Sequence, residues 1–140
     1  MLRFLIPLAL LALPLAAQAE TPNIEPGEWE YTHTTTIEGM PQMQDQVEVT
    51  RECVTQEDID KGEDVIEVPE ECTLDHVDVR SDGADFAMTC TDPQGGQATM
   101  EGEMRFMGTR SEGTMTTDVE SPMGPMTIIM EIEGERIGDC

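Results

Sequence analysis

Cys53, Cys72, Cys90 and Cys140 carry the most distinctive chemistry in this chain. Four thiols can bind zinc, stay free or pair as disulfides. Structural zinc sites draw on closely spaced pairs such as C-x2-C, and the sequence has none. An even number of cysteines in a small exported domain reads instead as two disulfides. Folding residues 72 to 90 about Ser81 sets Cys72 opposite Cys90, where an antiparallel pair can meet disulfide geometry. The sequence therefore predicts Cys72–Cys90 and, by elimination, Cys53–Cys140.

Methionine is the next candidate ligand. The chain has 11, and Met40/Met43, Met104/Met107 and Met123/Met126 repeat an M-x-x-M spacing. Thioethers are soft donors that suit copper(I). Yet Met88, Met100, Met104, Met115, Met126 and Met130 fall on apolar strand faces, where methionine fills gaps in a core short of aromatics. Copper(I) binding is thus the lesser alternative, and no cofactor is expected.

Asp58, Asp60, Gly62 and Asp64 alternate like the ligands of a calcium loop. The pattern breaks where it matters: glycine stands at the fifth position, and Pro69 at the twelfth replaces a bidentate glutamate. A solvated acidic loop is the reading, with no metal site. Nor is a catalytic set visible. His33 and His76 are the two histidines, and neither has a nucleophile motif beside it; G-x-S-x-G, H-E-x-x-H and glycine-rich phosphate loops do not occur. The expectation is a protein that is not an enzyme.

Seven Lys and Arg stand against 30 Asp and Glu, a net charge of −23. Such a charge repels phosphates and anionic lipid, so nucleic acid and membrane surfaces are disfavoured as partners. It leaves cations, a basic envelope protein, or solubility alone.

The elements that must hold these residues are strands. Trp29, Tyr31, His33, Thr35 and Ile37 share one face of a first strand, with glutamate and threonine opposite. Val47, Val49, Arg51 and Cys53 share a face of the second. Thr55-Gln-Glu-Asp58 resembles a capping box, and a short helix runs from it toward Lys61 before Gly62 stops it. Residues 62–71 read as an acidic loop. The 72–90 hairpin follows, then strands with Ala98, Met100, Gly102, Met104 and Phe106 on one face, and Gly113, Met115, Thr117 and Val119 on one face. Met126, Ile128, Met130 and Ile132 form the most apolar face. Short turns join these last strands as antiparallel neighbours.

The fold expected is all-β. About seven up-and-down strands, each with an apolar and a polar face, form one strongly curved antiparallel sheet or open barrel with one short helix and two disulfides. A β-sandwich is the alternative. The lining would be methionine, and the outside threonine and glutamate.

Residues 1–19 have the parts of a signal peptide: Arg3, an apolar run from Phe4 to Leu15, and Ala17-Gln18-Ala19 before the cut. The run is short for a membrane-spanning helix. Residues 20–140 form a single β domain, periplasmic and without membrane insertion after cleavage.

Pro26-Gly27-Glu28-Trp29-Glu30 near the start, Cys53-Val54-Thr55 in the middle and Gly134-Glu135-Arg136-Ile137-Gly138-Asp139-Cys140 at the end carry a resemblance. Together they resemble an uncharacterised domain-of-unknown-function family of secreted proteobacterial proteins, with a P-G-x-W-E opening and a G-x-R-x-G-x-C terminus. The resemblance implies export and a compact β domain, and no established activity.

The functional expectation is a non-catalytic periplasmic binding module. A concave face lined by Trp29, Tyr31, Phe86, Phe106, Met104 and Met130 would hold a small apolar ligand. The alternative is a structural or envelope protein-interaction domain whose interior is a filled core.

Overall fold

The computed structural model describes residues 20–40, 42–62, 66, 68–93 and 95–140. The signal segment 1–19 and Asp64 of the acidic run lie outside the described residues. Seven strands, β1 (Gly27–Glu38), β2 (Gln46–Val54), β3 (Cys72–Val79), β4 (Gly83–Thr91), β5 (Gln97–Phe106), β6 (Arg110–Ser121) and β7 (Gly124–Gly138), form one antiparallel sheet. One short helix, α1 (Gln56–Asp60), follows β2. The order is β2-β1-β7-β6-β5-β4-β3, so the sheet does not close.

That order is an up-and-down barrel cut at an unusual place. β1 pairs with β7, the step that closes such a barrel, while β2 and β3 are left as edges. The alternating directions make those two edges run the same way. The 55–71 connection must therefore return along the whole sheet, which takes a dozen or more residues.

α1 begins this return. Thr55 caps it: its hydroxyl accepts from the Asp58 N–H, and the Asp58 carboxylate accepts from the Thr55 N–H at 3.0 Å. A bond donated by the Thr55 hydroxyl at 2.7 Å first, then those from the Thr55 N–H and Lys61, hold the Asp58 carboxyl down at about 2. Gly62, at φ 53°, ends the turn in the left-handed region that glycine tolerates. The acidic run is thus spent partly on helix capping, and Asp60 accepts a bond from Gln56.

Both predicted disulfides are present, Cys53–Cys140 and Cys72–Cys90. The second depends on a bulge. Near the turn, residues pair as Val79↔Ala84 and Val77↔Phe86, a register that would carry Cys72 past Cys90. An irregularity between Leu74 and His76 absorbs one residue and restores Cys72↔Cys90. Thr89 donates to the carboxylate of the extra residue, Asp75, at 2.7 Å. Disulfides persist in an oxidising compartment, which places the folded chain outside the reducing cytosol.

Residues 20–26 show why the sheet curls. They run as a strap from β1 along the turns at one end. Asn23 N–H donates to the Ser81 carbonyl at 2.7 Å, and Glu25 N–H donates to the Gly108 carbonyl at 2.9 Å. Extended chain from Asn23 to Gly27 reaches at most about 14 Å. Across a flat sheet, β1 and the β3–β4 turn would be about 21 Å apart. The strap therefore subtends a curve, and the indole N–H of Trp29 donates to the strap carbonyl of Glu25 at 2.9 Å. The concave side is the side that carries Trp29.

Candidate functional site

Direct cross-strand partners project to the same side of a sheet, so the registers define the concave face. One row reads Val77–Phe86–Gly102–Met115–Met130–Thr35. The next reads Val79–Ala84–Met104–Gly113–Ile132–His33, and a third Phe106–Ser111–Gly134–Tyr31. Trp29 lies one row further, under the strap. All six residues expected to line a ligand site, Trp29, Tyr31, Phe86, Phe106, Met104 and Met130, share this face.

Three of them lie across a glycine on the neighbouring strand. The Phe86 ring occupies the space where a Gly102 side chain would begin, Met104 that of Gly113, and Tyr31 that of Gly134. Glycine leaves the sheet bare there, and a large neighbour folds flat over it. The mid-strand glycines are the signal that sequence reading passed over.

The face is open. Trp29 is 0% exposed and Met88 6%, but Tyr31, Phe86, Phe106, Met104, Met130, Ile128 and Ile132 are only half-buried. Ile59 of α1 is also buried. A single sheet has no second layer to cover its apolar side.

The strap end of the face is its most closely packed part. Trp29 stacks near Tyr31, with centroids 6.0 Å apart and an interplanar angle of 16°. Burial pushes the Tyr31 hydroxyl up to about 12, with the Glu52 carboxylate adding to the effect. Ser111 is 4% exposed, and its hydroxyl has no hydrogen-bond partner among the described residues. His33, on the same face, meets Thr50 across the β1–β2 pair at 3.2 Å.

β2 departs from the expected pattern. An apolar lining with threonine and glutamate outside would turn its valines inward. Register instead sets Glu48, Thr50 and Glu52 beside His33, Tyr31 and Trp29, and leaves Val47 and Val49 on the convex side, 65% and 56% exposed. Alternation tells which residues share a face, and pairing decides which face that is.

The methionine pairs also separate. In two of them one methionine lies on a strand and the other in the adjoining turn, Met107 just past β5 and Met123 just before β7. Met104 is half-buried and Met107 exposed, while Met126 is half-buried and Met123 is 92% exposed. The pairs brought together are cross-strand partners, Met88↔Met100 and Met115↔Met130.

On the convex side the strands carry glutamate and threonine. An open groove of about 580 Å³ runs there, lined by Glu103, Glu112, Glu131, Glu133 and Arg105 among others. Glu112 faces Glu133, and Asp85 faces Glu103, across neighbouring strands. On the β3–β4 hairpin Arg80 donates to Asp78 and Asp85, each at 2.6 Å, and His76 meets Asp85 at 2.8 Å. Bonds from Arg80 first, then His76, hold the Asp85 carboxyl below its ordinary range.

The opening and closing motifs meet in space. Arg136 donates to the Pro26 carbonyl at 2.9 Å and lies opposite Trp29. A side chain at Gly27 would strike the Arg136 guanidinium and the Gly138 carbonyl. Cys53, paired with Glu28 across β1–β2, is bonded to Cys140. These residues form a junction that ties β2, β1 and β7 together.

Among the described residues no helix is long and apolar enough to cross a membrane. No curated protein and no solved structure matches the chain. A family model described as a protein of unknown function, DUF3617, matches residues 24–140. From the junction at Pro26 to the terminal cysteine, the chain belongs to the DUF3617 family.

Proposed function

We propose that this chain is a non-catalytic binding module of the periplasm, delivered by the 1–19 signal segment. Its concave face takes a small apolar ligand. The reading rests on one observation: the large apolar side chains are gathered on one concave face, and all of them but Trp29 and Met88 are only partly buried. A filled core would bury them, and contiguous exposed apolar surface marks a binding site in soluble proteins. Phe86, Met104 and Tyr31 lie over glycines, a posture that favours a shallow trough.

The test uses the single tryptophan. Trp29 emission and the thermal midpoint are followed while lipids with alkyl chains and aromatic small molecules are titrated. Binding is expected to change the emission and raise the midpoint, since a ligand that binds only the folded state stabilises it. Flat responses across the set would end this reading.

A second reading has its own support. Carboxylates facing one another across strands weaken a sheet, and here they line the convex groove. A basic envelope protein seated there would relieve that repulsion. Capture of such a protein, lost at high salt, would favour it.

A further inference from the structure

We propose that the ligand is an amphiphile with a polar, non-anionic head, bound head-first, whose head hydrogen-bonds the Ser111 hydroxyl at the strap end of the trough. This rests on the apolar-ligand reading above and adds the chemistry of one end of the molecule.

Ser111 is the reason for a head group. Buried hydroxyls are almost always paired, and one left alone is costly and calls for a partner. The Ser111 hydroxyl is enclosed and unpaired among the described residues. It stands on the concave side, since Ser111 pairs directly with Phe106 and Gly134, and Gly134 with Tyr31. Ser111 Oγ and the Tyr31 ring converge on the point where a Gly134 side chain would begin. The ring therefore roofs the hydroxyl, and a head group reaches it when the ring swings off Gly134.

The surroundings choose the charge. Beside Tyr31, the β2 strand presents Glu48, Thr50 and Glu52 to the same face. Arg136, the nearest cation by register on this face, is committed to the Pro26 carbonyl and to Asp139. An anionic head would meet carboxylates and find no free cation there among the described residues. An alcohol or amide can both donate to the Ser111 oxygen and accept from its hydroxyl, and an ester can accept from it. Beyond it, Met104, Ile132, Met115, Met130 and Ile128 continue the face for about 20 Å, room for an alkyl chain.

The experiment compares dodecane, 1-dodecanol and dodecanoate on the full mature chain, with Ser111→Ala beside wild type. 1-Dodecanol is expected to bind wild type about fivefold tighter than dodecane, the worth of one hydrogen bond. Ser111→Ala is expected to erase that difference, and its thermal midpoint should not fall, because the hydroxyl it removes is buried and unpaired among the described residues. Trp29 emission should shift more with 1-dodecanol than with dodecane, as Tyr31 leaves its stack. Equal binding of dodecane and 1-dodecanol to wild type, or strongest binding of dodecanoate, overturns the head-group proposal and leaves the apolar trough standing. Binding of none of the three overturns both. The wild-type comparison decides the matter should the variant fail to fold.

Discussion

Tyr31 lies flat across Gly134, its direct partner on the neighbouring strand. Phe86 over Gly102 and Met104 over Gly113 repeat the relationship. In each pair one strand gives up its side chain so that the other can lay its own along the sheet. Bulk is thereby spread over a curved surface instead of standing up from it.

A methyl group at these glycines tests the arrangement. Alanine is ordinarily better than glycine within a strand by roughly 0.5–1 kcal/mol. Here Gly102→Ala and Gly134→Ala should instead destabilise by about 1–3 kcal/mol, because the new Cβ strikes the Phe86 ring or the Tyr31 ring and Ser111. Gly138→Ala is the control, since nothing lies within 4 Å of its Cβ position. Denaturant midpoints measure all three. Stabilisation at 102 or 134 would mean that the rings do not occupy those spaces.

Much of this was legible beforehand, and the failures are instructive. Period-two alternation sorted the residues of β1, β5, β6 and β7 correctly, because one-sided burial repeats along each strand. It could not orient β2, whose face follows from its register with β1. The Cys72–Cys90 pairing came out right from a symmetric fold about Ser81, although the hairpin register is offset by one near its turn. The bulge at Asp75 cancels that offset, and a single inserted residue has no compositional mark. The strap of residues 20–26 has no periodicity to read. Ser111 escaped for a similar reason: an isolated serine looks like any solvated one until the register places it beneath Tyr31.

The disulfides differ in the span they close, 87 residues for Cys53–Cys140 and 18 for Cys72–Cys90. In the chain-entropy model these are worth about 4.5 and about 3 kcal/mol. Paired serine substitutions should therefore cost more at 53 and 140 than at 72 and 90. Urea unfolding of each double variant gives the order. Hydrogen exchange should further show β2 opening first when Cys53–Cys140 is absent, since β2 otherwise pairs only with β1. An equal or reversed order would show that the reduced chain keeps structure across the longer span.

The only tyrosine offers a direct alkaline titration. Burial raises the Tyr31 hydroxyl from 10.0 to about 12. The folded state thus prefers the neutral phenol more than the unfolded chain does. That preference is fully present below pH 10 and is lost as pH rises through about 12. Ultraviolet absorbance should show phenolate appearing late in the native protein and near pH 10 in denaturant. Glu52→Gln should lower the native value slightly, burial being the larger cause. Coincident native and denatured curves would place the ring in open solvent.

Asp85 gives the acid-side counterpart. Its carboxyl is held below 3.8 by Arg80 first and His76 second, so ionised Asp85 favours the folded hairpin. The contribution is present above the ordinary carboxylate range and is lost as pH falls through the lowered native value. Arg80→Met should move the Asp85 titration, followed by carboxyl NMR, back toward 3.8. His76→Ala should move it less. The reverse ranking would mean that the 2.6 Å contact from Arg80 to Asp85 does not persist in solution.

Ionic strength separates attraction from repulsion over the whole convex face. Glu112 and Glu133 stand opposite one another, as do Asp85 and Glu103, in a chain of net charge −23. Like charges directly across a sheet weaken it by roughly 0.2–1 kcal/mol per pair. Arg51–Glu30 and the Arg80 cluster oppose this, but exposed ion pairs contribute little. Repulsion should therefore dominate, and the thermal midpoint should climb as sodium chloride screens it, most steeply while the Debye length falls toward about 10 Å. Glu133→Gln should stabilise at low salt and lose its advantage at high salt. Because Glu133 also lines the groove, a basic peptide bound there should reproduce the effect of salt on wild type and have less effect on the variant. A midpoint that drops as salt is added would show that the scattered arginines outweigh the facing carboxylates.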